Sequence, residues 1–131
     1  MEDRIPNSLR RWFVVHFVLD VLFGLPLLLA PEIMLPLFGW RPIDPILSRL
    51  VGAALMGIGV ESLLGRNAGV EAYKAMLNLK VIWASSATLG IALGLANGGA
   101  RFGWVILSIF AVFLGIWTYY RWRLRDFERN P

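Results

Sequence analysis

The sequence contains no cysteine and only one histidine. The lack of cysteine excludes disulfides, thiolate metal sites and cysteine nucleophiles. A single histidine excludes a histidine pair with metal-ligand spacing, and no glycine-rich phosphate-binding loop follows a strand-like segment. We therefore predict no metal site and assign no catalytic residue.

Charged residues are also scarce. They make up 17% of the 131 residues, whereas 57% are hydrophobic and the mean hydropathy is +0.62. A soluble domain usually has about 25% charged residues, so the composition predicts a membrane protein. The net charge of +4 does not indicate nucleic-acid binding, because the basic residues cluster at the ends of apolar runs. The expected surroundings are a lipid bilayer.

Four apolar runs are long enough to cross a bilayer, which takes about 20 residues. Asp44, Pro45 and Gly65 supply an N-cap, a first helical residue and a C-terminal stop for the second run. Residues 31–40 are too apolar for a solvated loop and too short to span, and we predict a short interfacial segment there. The predicted spans are 12–30, 45–64, 70–96 and 102–122.

These spans predict an all-α fold: a single-domain integral membrane bundle of four transmembrane helices over residues 1–131, with residues 123–131 as a tail that extends the last helix. Lysine and arginine are uneven across the membrane. One side holds nine of them, namely Arg4, Arg10, Arg11, Arg66, Lys74, Arg121, Arg123, Arg125 and Arg129. The other side holds Arg41, Arg49 and Arg101. Because basic loops stay in the cytoplasm, we predict a multi-pass cell-membrane protein with both termini cytoplasmic.

Four ionisable residues lie inside the spans, where each costs about 2.5–3.5 kcal/mol on insertion scales. They are His16, Asp20, Glu61 and Lys80. Counting along the helices places Asp20, Glu61 and Lys80 in the cytoplasmic half, with His16 one turn from Asp20 on the same face. We predict one polar cluster in which Asp20 and Glu61 accept, Lys80 donates and His16 lies at the entrance.

Three further polar residues stand out in the spans: Asn78, Ser85 and Arg49. Asn78 lies about 200° from Lys80 around the third helix, so this helix has two polar stripes. One stripe faces the helices of the same chain and the other faces a second subunit, and the sequence leaves open which. Arg49 is near a span end and can snorkel to the interface. Gly57 is one turn before Glu61, which predicts a close neighbour there.

The cluster has three readings, namely a structural ion pair that fixes helix register, a pathway for a ligand, proton or ion, and catalysis. For His16 the alternatives are a hydrogen bond to Asp20 or to a neighbouring carbonyl, and axial ligation of a haem or chlorin. No other cofactor is evident.

The segments "RRWFVVHFVLD", "DPILSRLVGAALMGIGVES" and "EAYKAMLNLKVIW" resemble a group of small prokaryotic membrane proteins without assigned activity. The resemblance covers roughly residues 10–120. In size, helix count and glycine-rich second helix, the chain is also similar to the DoxX-like and DUF4345-like four-helix families. Neither resemblance implies a substrate, cofactor or catalytic residue.

The leading functional hypothesis is a small non-enzymatic membrane protein, either a homo-oligomer or an accessory subunit of a larger membrane complex. The alternative is a small transporter or channel for an ion, a proton or a polar solute that uses the polar cluster. A second alternative is a membrane enzyme that acts on lipid or quinone.

Overall fold

The structure, a computed structural model, describes the backbone of residues 5–129 and the side chains of residues 5–126. Its helices are α1 (Asn7–Leu29), α2 (Pro31–Leu37), α3 (Pro45–Leu64), α4 (Val70–Ala96) and α5 (Gly103–Arg129), with a short 3-10 turn at Gly65–Asn67. The predicted all-α class is confirmed. Four of these helices are long and apolar enough to cross a membrane, as in a multi-pass membrane protein.

Some sequence-based predictions fall outside the described residues. Arg4 and the side chain of Arg129, which both entered the count of basic residues, belong to this group, as do tail residues 130 and 131. The described part of the tail continues α5 as a helix to Arg129.

The described chain divides into two compact units. One unit spans residues 7–67 and consists of α1, α2, α3 and the 3-10 turn. In α1 the buried residues recur every three or four positions, which places them on one face. They are Leu9, Phe13, His16, Asp20 and Gly24. The matching buried face of α3 consists of Gly52, Leu55, Gly59 and Ser62.

Small residues bring α1 and α3 into close, antiparallel contact. A Cβ built on Gly52 would lie 2.6 Å from the backbone nitrogen of Leu28 and 2.8 Å from the carbonyl oxygen of Gly24. A Cβ built on Gly24 would lie 3.0 Å from the Cβ atom of Leu55. Only glycine permits this approach, which is the usual route to tight packing between membrane helices.

The connection between α1 and α3 is held by polar contacts at its exposed end. Asp44 caps α3, since its Oδ1 accepts from the backbone N–H groups of Ile46 at 2.9 Å and Leu47 at 3.0 Å. Arg49 donates to both carboxylate oxygens of Glu32 on α2, at 2.8 and 3.3 Å. This hydrogen bond lowers the pKa of Glu32 from its ordinary value of 4.5. The predicted cap, and a short helix within residues 31–40, are both present.

The other unit contains the antiparallel pair α4 and α5. The turn between them begins at Asn97, where α4 ends, and continues through Gly98 at φ 84°, a left-handed conformation that favours glycine. Between the two helices, the rings of Trp83 on α4 and Phe110 on α5 meet edge to face with centroids 6.2 Å apart. The buried side of α5 is aromatic and apolar, with Phe113, Trp117, Tyr120 and Leu124.

Candidate functional site

A buried polar cluster lies between α1 and α3, and we call it the His16 cluster; it comprises His16, Asp20 and Ser62. His16 Nδ1 lies 3.3 Å from Asp20 Oδ2 and 3.4 Å from Ser62 Oγ. The side chains of His16 and Asp20 are 7% and 8% exposed. The i, i+4 spacing predicted that His16 and Asp20 share a face, and the structure brings them together.

The hydrogen bonds of the His16 cluster determine which atoms donate. The Ser62 hydroxyl donates to the carbonyl of Ile58 at 2.8 Å. Since this uses its only hydrogen, Ser62 Oγ faces His16 as an acceptor and Nδ1 carries the hydrogen. In a Ser-His-Asp triad the two partners take different ring nitrogens, whereas both approach Nδ1 here. The geometry is that of a contact that joins two helices.

Gly59 is what allows Asp20 to approach α3. A Cβ at Gly59 would lie 2.5 Å from the Cβ of Asp20 and 3.1 Å from its Oδ2. Glu61, two residues later, is about 200° away around the helix and its side chain is exposed. The α1–α3 contact therefore does not bring Glu61 to His16 and Asp20. Gly57 shares the exposed side and has no close neighbour among the described residues, contrary to the sequence-based expectation.

Lys80 is buried in α4, with 2% of its surface exposed. Within its own unit, its Nζ lies 5.1 Å from the centroid of the Trp117 ring, and Trp117 is 1% exposed. This is a cation–π distance, and such contacts strengthen where water is excluded. Trp117 in turn stacks on Phe113, with centroids 5.4 Å apart. The predicted grouping of Lys80 with the acidic residues of other helices stays a prediction.

The structure decides which polar stripe of α4 is covered. The stripe containing Lys80 is buried at Tyr73, Leu77, Lys80 and Ala84. Asn78 and Ser85, on the other stripe, are exposed. Asn78 Oδ1 accepts from Nε of Arg121 on α5 at 2.6 Å. Arg49, the third residue of the predicted secondary set, pairs with Glu32 and lies at a helix end.

The described residues offer little for a metal. No group of three or more His, Asp or Glu side chains in residues 5–126 could hold one. If His16 bound a haem or chlorin it would have to use Nε2, since Nδ1 faces Asp20 and Ser62. Axial ligation by His16 stays a prediction.

Comparison with known proteins assigns no family, since no protein-family model, curated protein or solved structure matches the chain. The resemblance described above therefore rests on residue pattern alone.

Sequence reasoning missed three residues that build these contacts: Gly59, Ser62 and Trp117. A signal was present for two of them, because Gly52, Gly59 and Ser62 follow a spacing of seven and three on one face of α3. Nothing in the local pattern identifies Trp117 as the aromatic neighbour of Lys80, since the two residues are distant in sequence.

Proposed function

We propose that this chain is a small non-enzymatic integral membrane protein that works as a subunit of a homo-oligomer. The observation that carries the proposal is the exposed side of α4. Besides exposed aliphatic residues, namely Leu79, Ile82, Leu89 and Leu93, this side includes small and polar residues through the length of the span, namely Asn78, Ser85, Ser86, Gly90 and Gly94. Small and hydroxyl-bearing residues favour contacts between membrane helices.

The exposed side of α1 differs from that of α4 in its residue types. From Val14 to Leu29 every exposed residue is valine or leucine, as expected of a surface that faces lipid. In α4, a Cβ built on Gly90 or Gly94 would meet no atom of the described residues within 4 Å. Glycine at positions where no described residue requires it favours a partner helix on that side of α4.

The absence of cysteine allows a direct test by disulfide cross-linking. We expect Ser86→Cys on α4 to form a disulfide-linked dimer in native membranes under mild oxidation, whereas Val18→Cys on α1 stays monomeric. Equal cross-linking of the two variants, or none in either, would contradict the proposal. Cross-linking of Ser86→Cys to a larger protein instead would identify an accessory subunit of a membrane complex.

A second experiment separates the side of α4 that contains Gly90 and Gly94 from the Asn78–Ser85 stripe. Gly90→Leu with Gly94→Leu should abolish the cross-link at residue 86, because leucine side chains hold helices apart where glycine allows contact. The matched control is Ala92→Leu with Ala96→Leu, which has the same spacing, lies about 200° away and is also exposed. Loss of the dimer in the control alone would place the interface on the Asn78–Ser85 stripe.

We further propose that both termini are cytoplasmic, on the strength of the nine-to-three distribution of lysine and arginine. A cysteine at Asn67, between α3 and α4, should then be protected from an impermeant maleimide in intact cells. A cysteine at Asn97, between α4 and α5, should be labelled. Labelling at residue 67 with protection at residue 97 would show that both termini lie outside the cytoplasm.

The second candidate function is a small transporter for an ion, a proton or a polar solute, and the His16 cluster favours it. Buried polar groups inside a span often mark such pathways. A transporter of this kind should lose flux in liposomes when Asp20→Asn is made, while the exposed control Glu61→Gln keeps it. Unchanged flux in a folded Asp20→Asn protein would contradict this function.

A further inference from the structure

The last described turns of α5 expose an arc of aromatic and basic side chains that also includes one acidic residue, Asp126. Tyr119 and Trp122 are 49% and 58% exposed and occupy the middle of the arc. Arg121 and Arg125 share one flank, about 40° apart, and Arg123 lies on the other flank. The remaining side of the helix is buried and consists of Trp117, Tyr120 and Leu124.

The arginines of this arc form no direct ion pair with a carboxylate within the described part of the chain. Two basic side chains elsewhere in the described chain do have an acidic partner: Arg49 pairs with Glu32, and Lys74 with Glu71, each at 2.8 Å. No described Asp or Glu side chain lies within 4.0 Å of a nitrogen of Arg121, Arg123 or Arg125. Residues 121–126 carry three arginines and one exposed carboxylate, that of Asp126, so this described part of α5 keeps a net positive charge.

Two of the three guanidinium groups are held in place by neutral partners. Asn78 Oδ1 accepts from Arg121 Nε at 2.6 Å. Arg123 Nη1 donates to the hydroxyl of Tyr119 at 3.4 Å, and its guanidinium lies 6.0 Å from the Tyr119 ring. Neutral partners orient a guanidinium without cancelling its charge. Nη1 of Arg121 is buried and has no acceptor among the described residues.

We propose that this surface, which we call the α5 headgroup site, binds the phosphate of anionic phospholipids. It is defined by Asn78, Tyr119, Arg121, Trp122 and Arg123. Guanidinium groups match phosphate oxygens in geometry and charge, and tyrosine and tryptophan prefer the headgroup level. The arginines lie on both flanks of the exposed arc. A headgroup layer surrounds a helix and suits that arrangement, whereas a soluble protein would need its charges on one side.

The test measures which lipid the purified full-length protein retains. The protein in non-ionic detergent is offered equal amounts of phosphatidylglycerol and phosphatidylcholine, and bound lipids are counted by native mass spectrometry. Arg121→Gln with Arg123→Gln should lower the ratio of retained phosphatidylglycerol to phosphatidylcholine about thirtyfold. The control is Arg41→Gln with Arg101→Gln, which removes the same charge from two exposed arginines outside the site and should leave the ratio unchanged.

An unchanged ratio in the Arg121–Arg123 variant would overturn the site and leave protein docking as the use of this surface. An equal fall in the control would overturn it too, since overall charge would then explain the preference. If the double variant does not fold, the same lipid ratio is measured for Asn78→Ala, which removes only the acceptor that holds Arg121. We expect about a threefold lower ratio there, and no change would count against the site.

Discussion

Gly59 determines how closely α1 and α3 approach, and replacing it with alanine should separate the two helices at the His16 cluster. The new Cβ would lie 2.5 Å from the Cβ of Asp20 and 3.3 Å from its Cγ. Carbon atoms pack best at about 3.5–4.0 Å, so the helices must part by on the order of 1 Å. Overpacking of this kind costs about 1–3 kcal/mol, and separation also weakens the contact between His16 and Ser62.

Gly57 provides a control two residues away on the same helix. A Cβ there meets nothing within 4 Å among the described residues, so Gly57→Ala should leave stability unchanged or raise it, by up to about 1 kcal/mol through helix propensity. Both variants can be unfolded in mild detergent by titration with a denaturing detergent, with helix content followed by circular dichroism. If Gly59→Ala unfolds at the same point as Gly57→Ala, the close approach at Asp20 does not limit packing and the reasoning fails.

Three further predictions concern single contacts. Ser62→Ala should lower the free energy of unfolding by about 1 kcal/mol, because His16 loses an acceptor; unfolding as above checks this. Trp117→Ala should cost about 3–5 kcal/mol, whereas Trp104→Ala, 61% exposed, should cost far less; equal losses would show that the Lys80–Trp117 contact is dispensable. Glu32→Gln should lower the melting temperature at pH 7. Because the folded-state pKa of Glu32 is lowered, its contribution is present above pH 4.5 and is lost as the pH falls below that value, so the two proteins should converge in acid.

The helices and their ends follow from local sequence. Run length predicted the four spans, and Asp44, Pro45 and Gly65 marked the ends of α3, because capping acts over three or four residues. The i, i+4 spacing also placed His16 beside Asp20. These features depend on residues close together in the chain and on the regular geometry of one helix. Both can be worked out from a single sequence.

The direction in which a helix faces was harder to predict. Glycine is frequent throughout the second span, so glycine content alone does not distinguish the side that meets α1 from the exposed side, and only the spacing of Gly52, Gly59 and Ser62 does. Glu61 was expected beside Asp20 because of its charge and depth, but depth fixes only one coordinate, and rotation places Gly59 and Ser62 there instead. Pairing of Lys80 with Trp117 depends on the register between α4 and α5, which no local rule determines.

The glycines at the α1–α3 contact differ from the two glycines near the end of α4, and the α4 pair supports assembly through that helix; Gly57 of α3 also has no close neighbour among the described residues. In the α1–α3 pair, Gly24, Gly52 and Gly59 each face backbone or Cβ atoms that a side chain would strike. Packing within the chain explains those three residues. Gly90 and Gly94 meet nothing within 4 Å among the described residues, although alanine would favour the helix by up to about 1 kcal/mol. A contact outside the chain would account for them, and the cross-link at residue 86 tests for it on the same face.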